Sequence, residues 1–299
     1  MIDVVLASDR NLIRQAGVTA LSAIKHSSEA IHFTFLTPPA DSLDPDWSVV
    51  RALIEKASCT SAVTAVPFER SSLQLSRHLT PVTYFRLLLP GIVSPAVTRA
   101  VYLDCDVIVG RDIAQLWATD LGGKPMAAVA DADFRDWTKL GLSARDGYFN
   151  SGVLVLDLER IRSDDLFGAA LRFSREHPSA LTWSDQCALN KVSVGKWHRL
   201  EKHWNYQHSV FLDDIRTIGM ANAKRVAAGS VLHFNNYERP WLVDSRHPLR
   251  SHYTTILNAH PELDMSQPRR LTNYWKMLKR TVKWKKIAWE SYRSRSDRM

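Results

Sequence analysis

No apolar run in this chain approaches the roughly 20 residues that a membrane-spanning helix needs; stretches such as "YFRLLLPGIV" are too short. The start, "MIDVVLASD", lacks a basic segment followed by a long apolar one, so no secretory signal is expected and the chain reads as cytoplasmic. Cysteine is scarce. Cys59, Cys105 and Cys187 are odd in number and show no zinc-like spacing, which argues against a disulfide framework and fits a reducing compartment. Internal repeats and low-complexity tracts are missing too. Hydrophobic residues at 45% and charged residues at 23% exclude wholesale disorder, and 299 residues suffice for one large α/β domain or two smaller ones.

Acidic residues run short in one place only. The net charge is +8, but residues 269–299 carry 11 Lys and Arg against 2 Asp and Glu, leaving 28 against 29 for the rest. The body is close to neutral and the tail is basic. Along the body, "IDVVLAS" and "IHFTFLT" read as buried strands, with a helix from "NLIRQAGVTALSAIKHS" between them. Helix-like "DWSVVRALIEKAS" and β-rich "TSAVTAVPF" follow, and this alternation predicts a parallel, layered α/β sheet. In such sheets ligands bind beyond the carboxyl ends of the strands, which places "SDRN" and "DCD" on one edge. "PMAAVAD", "YFNSGVLVLDL" and "GSVLHF" add strands, and "SDDLFGAALRFSREHP" and "TWSDQCALNKV" add helices.

In "RAVYLDCDVIVG" an apolar strand ends in Asp104 and Asp106, two residues apart and so on one face. Two carboxylates in one small volume repel, and a metal ion, a basic partner or open solvent at a turn has to offset the cost. With His233 they would form an O,O,N set suited to Mn²⁺ or Mg²⁺. A strand-end turn and a structural histidine are the plainer readings of the same residues.

Seven segments taken in order resemble the retaining glycosyltransferases of family 8, most closely the bacterial lipopolysaccharide galactosyl- and glucosyltransferases. They are "VVLASDRN", "SRHLTPVTYFRLLLP", "VYLDCDVIV", "LWATDLGG", "YFNSGVLVLDL", "SDQCALN" and "HFNNYERPW", spanning roughly the first 240 residues. The resemblance implies a GT-A fold over residues 1–245, a UDP-sugar donor, and Mn²⁺ or Mg²⁺ held by Asp104, Asp106 and His233. It places Ala7, Asp9 and Asn11 at the uridine and Arg86, Asn236 and Arg239 near the diphosphate. Asp131, Asn150, Ser151, Asp185 and Gln186 fall at the donor sugar, and His78 on the acceptor side. Gln186 and Asp185 are the catalytic candidates: an amide is a poor nucleophile, so Gln186 suits a front-face displacement with an oxocarbenium-like transition state, and Asp185 would serve a double displacement. Outside the resemblance, Arg86 reads as a helix residue in a surface ion pair, and Asp185 as a carboxylate at a helix N-terminus.

Departures from the family pattern bear on donor affinity and acceptor identity more than on reaction class. Leu12 stands where close relatives have a tyrosine, Arg239 where they have lysine, and Asn236 where they have glycine; asparagine is among the few residues that tolerate positive φ.

From Leu271 a helical wheel gathers Leu271, Tyr274, Trp275, Leu278, Val282, Trp289 and Tyr292 on one arc, with Lys276, Lys279, Arg280, Lys283 and Lys286 opposite. This is the pattern of an interfacial membrane helix, and residues 246–299 read as a helical, basic membrane-association region on the inner face of the cell membrane. Docking of the aromatic arc on the catalytic domain and a nucleic-acid patch are the competing readings, the latter not favoured. Together these features predict a hexosyltransferase that uses UDP-glucose or UDP-galactose and a lipid-linked saccharide acceptor, on lipopolysaccharide or lipooligosaccharide. The alternatives are a saccharide-binding protein with a decayed site and a sugar nucleotidyltransferase, although "LASDRNLIRQAG" lacks the Gly-rich loop of the latter.

Overall fold

A computed structural model describes residues 1–68, 80–264 and 271–296. The first half runs β1 (Ile2–Ala7), α1 (Ile13–Lys25), β2 (Ile31–Thr37), α2 (Asp46–Lys56), β3 (Thr60–Ala65), α3 (Phe85–Ile92), β4 (Arg99–Leu103), β5 (Val107–Val109), α4 (Ile113–Trp117) and β6 (Met126–Ala130). There follow β7 (Phe149–Asp157), α5 (Leu158–Ser163), α6 (Leu166–Glu176), α7 (Ser184–Val192), β8 (Trp197–Arg199), β9 (Tyr206–Gln207), α8 (His208–Ile218), α9 (Met220–Ala228), β10 (Val231–His233), α10 (Arg250–Ala259) and α11 (Leu271–Ser296).

Seven strands form the main sheet in the order β3-β2-β1-β4-β7-β6-β8, and β5-β10-β9 form a small second sheet. Ala100, Val101, Tyr102 and Leu103 of β4 are buried on both faces, because helices cover both sides of the sheet and leave no polar face to alternate with. One apolar cluster packs α1 and α2 against Val4, Leu6, Phe33 and Phe35; another packs α3, α6 and α7 against Val5, Tyr102 and Leu154. Each such side chain contributes about 1.5–3 kcal/mol by leaving water.

The expected parallel sheet holds for β3-β2-β1-β4 and for β6 beside β8. It fails at β7, which runs antiparallel to both β4 and β6. This reversal has a functional consequence. An antiparallel β7 starts at the edge where β4 ends, so "FNSG" meets "DCD"; a parallel β7 would carry Asn150 and Ser151 to the far edge.

The C-terminal elements share the core of the body: Tyr253 and Ile256 of α10 and Trp284 of α11 belong to the same apolar cluster as α1. Helix α11 has three faces rather than two. Trp284 is buried among His208, Phe211 and His247, its indole N–H donates to Glu238 Oε2 at 3.1 Å, and buried Ser291 donates to the Ile215 carbonyl. Tyr274, Trp275, Leu278, Val282, Trp289 and Tyr292 point away from this seam and are exposed. The predicted aromatic arc is therefore real, but a different face does the docking. Arg280, expected among the basic residues of the open side, turns instead to Asp244 at 2.8 Å. No described helix is long and apolar enough to cross a membrane.

Trp284→Ala removes a buried ring and its hydrogen bond, and should cost about 3–5 kcal/mol of unfolding free energy. Trp289→Ala, on the exposed face, should stay within about 0.5 kcal/mol. Urea denaturation of the full chain distinguishes the two; equal effects would contradict the assignment of faces.

Candidate active site

The site lies at the carboxyl edge of the main sheet, where β4 runs out into Asp104 and Asp106. The Asp104 N–H donates to the Gly152 carbonyl at 2.8 Å, continuing the β4–β7 ladder by one residue past Leu103. Between the two carboxylates the Cys105 side chain turns inward and donates to the Ala7 carbonyl at 3.2 Å, and burial raises its pKa. Cys105 is packing, as its position between two same-face aspartates implies. His233 ends β10, which pairs antiparallel with β5 and so returns the chain to the aspartates. Its Nε2 lies 3.1 Å from Asp106 Oδ1 and 3.8 Å from Asp104 Oδ2. One ligand atom from each of the three residues fits within 4.8 Å.

Arg86, on α3, ties this corner to Ser151 and Asp185. Its guanidinium donates to Asp104 Oδ1 at 2.9 Å and to Ser151 Oγ at 3.0 Å, contacts the Ser151 carbonyl, and lies over the Tyr102 ring. Arg86 Nε donates to the Thr83 carbonyl at 3.2 Å, so its 2.9 Å approach to Asp185 Oδ2 is an ion pair without a directed hydrogen bond. Burial works against the charge on Arg86, but Asp104 and Asp185 outweigh it and the pKa is raised. At 4% exposure Arg86 is no surface ion-pair residue.

Asp185 occupies the first turn of α7, as the helix-start reading expects. Ser184 before it adopts φ 41°, a conformation that costs a side-chain-bearing residue about 1–2 kcal/mol and that turns Asp185 inward. Burial pushes the Asp185 pKa up to about 6 against the pull of Arg86. Gln186 bridges the two flanks. Its Oε1 accepts from the Ser151 N–H at 3.0 Å, and its Nε2 donates to Asp131 Oδ2 and the Tyr148 hydroxyl, both at 3.3 Å. Asp131 is raised by desolvation, with the Asp133 N–H at 3.0 Å opposing it.

The remaining expected residues that are described lie on the elements around this centre. Register pairs Val5 with Tyr102, which sets Ala7 level with Asp104 and sends Asp9 and Asn11 out over the same edge. Asp9 Oδ1 accepts the Asn11 N–H at 3.0 Å, holding that turn. Leu12 is partly buried against the core and has no aromatic ring for a base to stack on. Arg239 is ion-paired with Asp106 and also donates to the Phe234 carbonyl. Asn236 caps its own turn by accepting the Glu238 N–H at 2.7 Å. Its backbone is not in the left-handed region; among the described non-glycine residues only Ser58, Asp165 and Ser184 have positive φ. His78 lies outside the described residues.

Sequence reasoning missed Gly152 and Asn205. A Cβ on Gly152 would stand 2.8 Å from Asp104 Oδ2 and would also collide with the His233 ring, so this close approach requires glycine. A glycine interrupting an apolar strand was the available signal. Asn205 is fully buried and touches His233 and Asn150, contacts that nothing in "HWNYQ" announces.

Four carboxylates (Asp104, Asp106, Asp131, Asp185) and two guanidiniums (Arg86, Arg239) meet in this network, a formal charge of −2 at neutral pH. Burial holds the His233 pKa down to about 4 despite Asp104, so the ring adds no charge. Two carboxylates and a neutral imidazole converging at a site of charge −2 fit a divalent cation that accepts oxygen and nitrogen ligands, as Mn²⁺ and Mg²⁺ do.

Comparison with known proteins agrees with this geometry. The sequence model described as glycosyl transferase family 8 matches residues 3–245. General stress protein A of Bacillus subtilis is 31% identical over 187 residues, which is 60% of this chain and 65% of that protein. The chain thus spans just under two thirds of that relative's length. Lipopolysaccharide 1,3-galactosyltransferase of Salmonella typhimurium is 25% identical over 264 residues, 85% of this chain and 77% of the relative. A crystal structure of the galactosyltransferase LgtC with donor and acceptor sugar analogues superposes with a TM-score of 0.76, covering 90% of this chain and 98% of the other at 22% identity. At that identity the likeness shows the fold, a GT-A sheet with flanking helices.

The raised Asp185 pKa sets a pH dependence. The folded protein holds this proton more tightly than the unfolded chain, so Asp185 favours folding fully below about pH 4, and the contribution is lost as pH rises through about 6. Asp185→Asn should flatten the stability profile across that window, measured by denaturant unfolding at stepped pH. An unchanged slope would contradict the burial of an ionisable Asp185.

Proposed function

The chain belongs to glycosyl transferase family 8, and from that premise we propose that it moves a hexose, galactose or glucose, from a UDP-sugar to a saccharide acceptor of the lipopolysaccharide or lipooligosaccharide type, with retention of configuration. The observation that carries the reading is the convergence of Asp104, Asp106 and His233 beside Arg86 and Gln186 at the ligand edge of the sheet. Residues 1–245 are the catalytic domain on this reading, and residues 246–299 the membrane-association region.

A divalent cation held by Asp104, Asp106 and His233 would act as a Lewis acid toward the negative charge that develops on the departing diphosphate. Arg239 carries a planar fork suited to phosphate, and Asp9 offers a carboxylate to the base N–H. The sugar lies against Asp131, Ser151 and Gln186. In a front-face displacement the bond from C1 to the diphosphate oxygen breaks as the acceptor oxygen bonds to C1 on the same face, and the acceptor proton passes to the diphosphate. The Gln186 amide oxygen faces the positive charge of the oxocarbenium-like transition state. Asp185 is less suited to attack at C1, being buried at 3% exposure and ion-paired to Arg86.

Membrane association rests on the exposed arc of α11, flanked by Lys276, Lys279, Lys283 and Lys286, which suits an anionic surface. The burial of Trp284 means that deleting the tail would also open the core. Substitution of exposed residues is the cleaner probe.

With UDP-galactose or UDP-glucose, the unaltered protein should release UDP in the presence of Mn²⁺, and Asp104→Ala or Asp106→Ala should lower that rate at least about 100-fold; UDP release unaffected by these changes would overturn the assignment. Separately, Trp275→Ala combined with Trp289→Ala and Tyr292→Ala should abolish sedimentation with phosphatidylserine vesicles and leave UDP release intact. Undiminished sedimentation would count against the membrane role of the arc.

A further inference from the structure

The partners of the His233 ring fix which character its Nδ1 must have. A backbone N–H only donates, so the Gly152 N–H, 3.0 Å from the Asn150 side chain, fixes the atom it meets as Oδ1. The same oxygen lies 2.9 Å from the Asn205 amide, which must therefore present Nδ2 to it. The other end of that amide is Oδ1, an acceptor, and it lies 3.0 Å from His233 Nδ1. Nδ1 must carry the hydrogen. In the neutral ring the lone pair is then on Nε2, directed at the corner shared with Asp106 Oδ1 and Asp104 Oδ2.

The opposite orientation of Asn205 would make a different site. An amide nitrogen facing Nδ1 would force the hydrogen onto Nε2, which could then donate to Asp106, and His233 would be a satisfied structural residue with nothing to offer a cation. Both asparagines are buried, Asn205 fully and Asn150 at 6% exposure, so water cannot replace the partners that hold this orientation. The backbone is fixed as well, because β9 starts at the next residue and pairs in register with β10, Tyr206 beside Leu232 and Gln207 beside His233.

We infer that Asn205 is a positioning residue: by accepting the Nδ1 hydrogen of His233 it presents Nε2 to a divalent cation shared with Asp104 and Asp106. This rests on the cation reading of those three residues. Asn205 itself touches neither cation nor substrate. Its effect is on the ring's tautomer and direction, the usual task of the partner behind a metal-binding histidine.

The test uses the full chain without nucleotide. Mn²⁺ affinity is read from the electron paramagnetic resonance of free Mn²⁺, and the His233 tautomer from ¹⁵N–¹H correlation of the ring in cation-free protein at pH 7.5. The unaltered chain should bind Mn²⁺ and show the Nδ1–H form. Asn205→Leu should weaken Mn²⁺ binding about 10- to 100-fold and populate the Nε2–H form. Asn205→Asp loses the bond to Asn150 Oδ1 but keeps an acceptor oxygen toward Nδ1, and should hold the Nδ1–H form with Mn²⁺ binding at least fivefold tighter than the leucine variant. An Nε2–H ring in the unaltered chain overturns the inference by itself, even if Asn205→Leu fails to fold. So does Mn²⁺ binding by Asn205→Leu within twofold of the unaltered chain. If the unaltered chain shows the Nδ1–H ring but binds no Mn²⁺, the cation reading falls instead.

Discussion

The hydrogen bond from the Asp104 N–H to the Gly152 carbonyl, 2.8 Å long, is the constraint on which the site depends. It joins the end of one strand to the beginning of its antiparallel neighbour. Through it "DCD" and "FNSG", some 45 residues apart in sequence, are held in one register. Gly152 serves twice more. Its N–H begins the relay through Asn150 and Asn205 to His233, and its missing side chain leaves the space that His233 and Asp104 occupy. Any side chain at this position would separate the carboxylate from the imidazole.

Charge explains the rest of the arrangement. Carboxylates at a sheet edge with apolar walls are costly unless paired, and each is paired here: Asp104 and Asp185 share Arg86, Asp106 has Arg239, and Asp131 has the Gln186 amide. Arg86 is the hub. Its burial beneath the site, stacked on Tyr102 and held by Ser151, fixes the positions of two carboxylates at once. The surplus of negative charge that remains is the property a divalent cation and a cationic transition state would use.

Much of this was legible in the sequence. The apolar runs of β1, β2 and β4 state their own burial, and the spacing of Asp104 and Asp106 states their common face. The direction of β7 was not legible, because strand periodicity is the same read forwards or backwards. Asn205 could not be found because a buried asparagine has no local pattern; only the fold reveals the polar atoms it satisfies. Asn236 shows the limit of substitution logic: asparagine can adopt the backbone that glycine favours, but here it caps an ordinary turn. In α11 the aromatic arc was visible as a period of 3.6, whereas the buried seam of Trp284 and Ser291 was not, since one Trp and one Ser beside basic residues form no apolar stripe.

That seam ties the tail to the site. Trp284 holds Glu238 through its indole N–H, and Glu238 immediately precedes Arg239, the partner of Asp106. A helix that could rest on a membrane thus also braces the segment that faces the diphosphate on the proposed reading. The most direct test of the account is a crystal soaked with Mn²⁺ and UDP, with anomalous data collected at the manganese edge. One strong peak is expected within bonding distance of Asp104, Asp106 and His233 Nε2, with the diphosphate against it. A peak elsewhere, or UDP bound at another edge of the sheet, would contradict it.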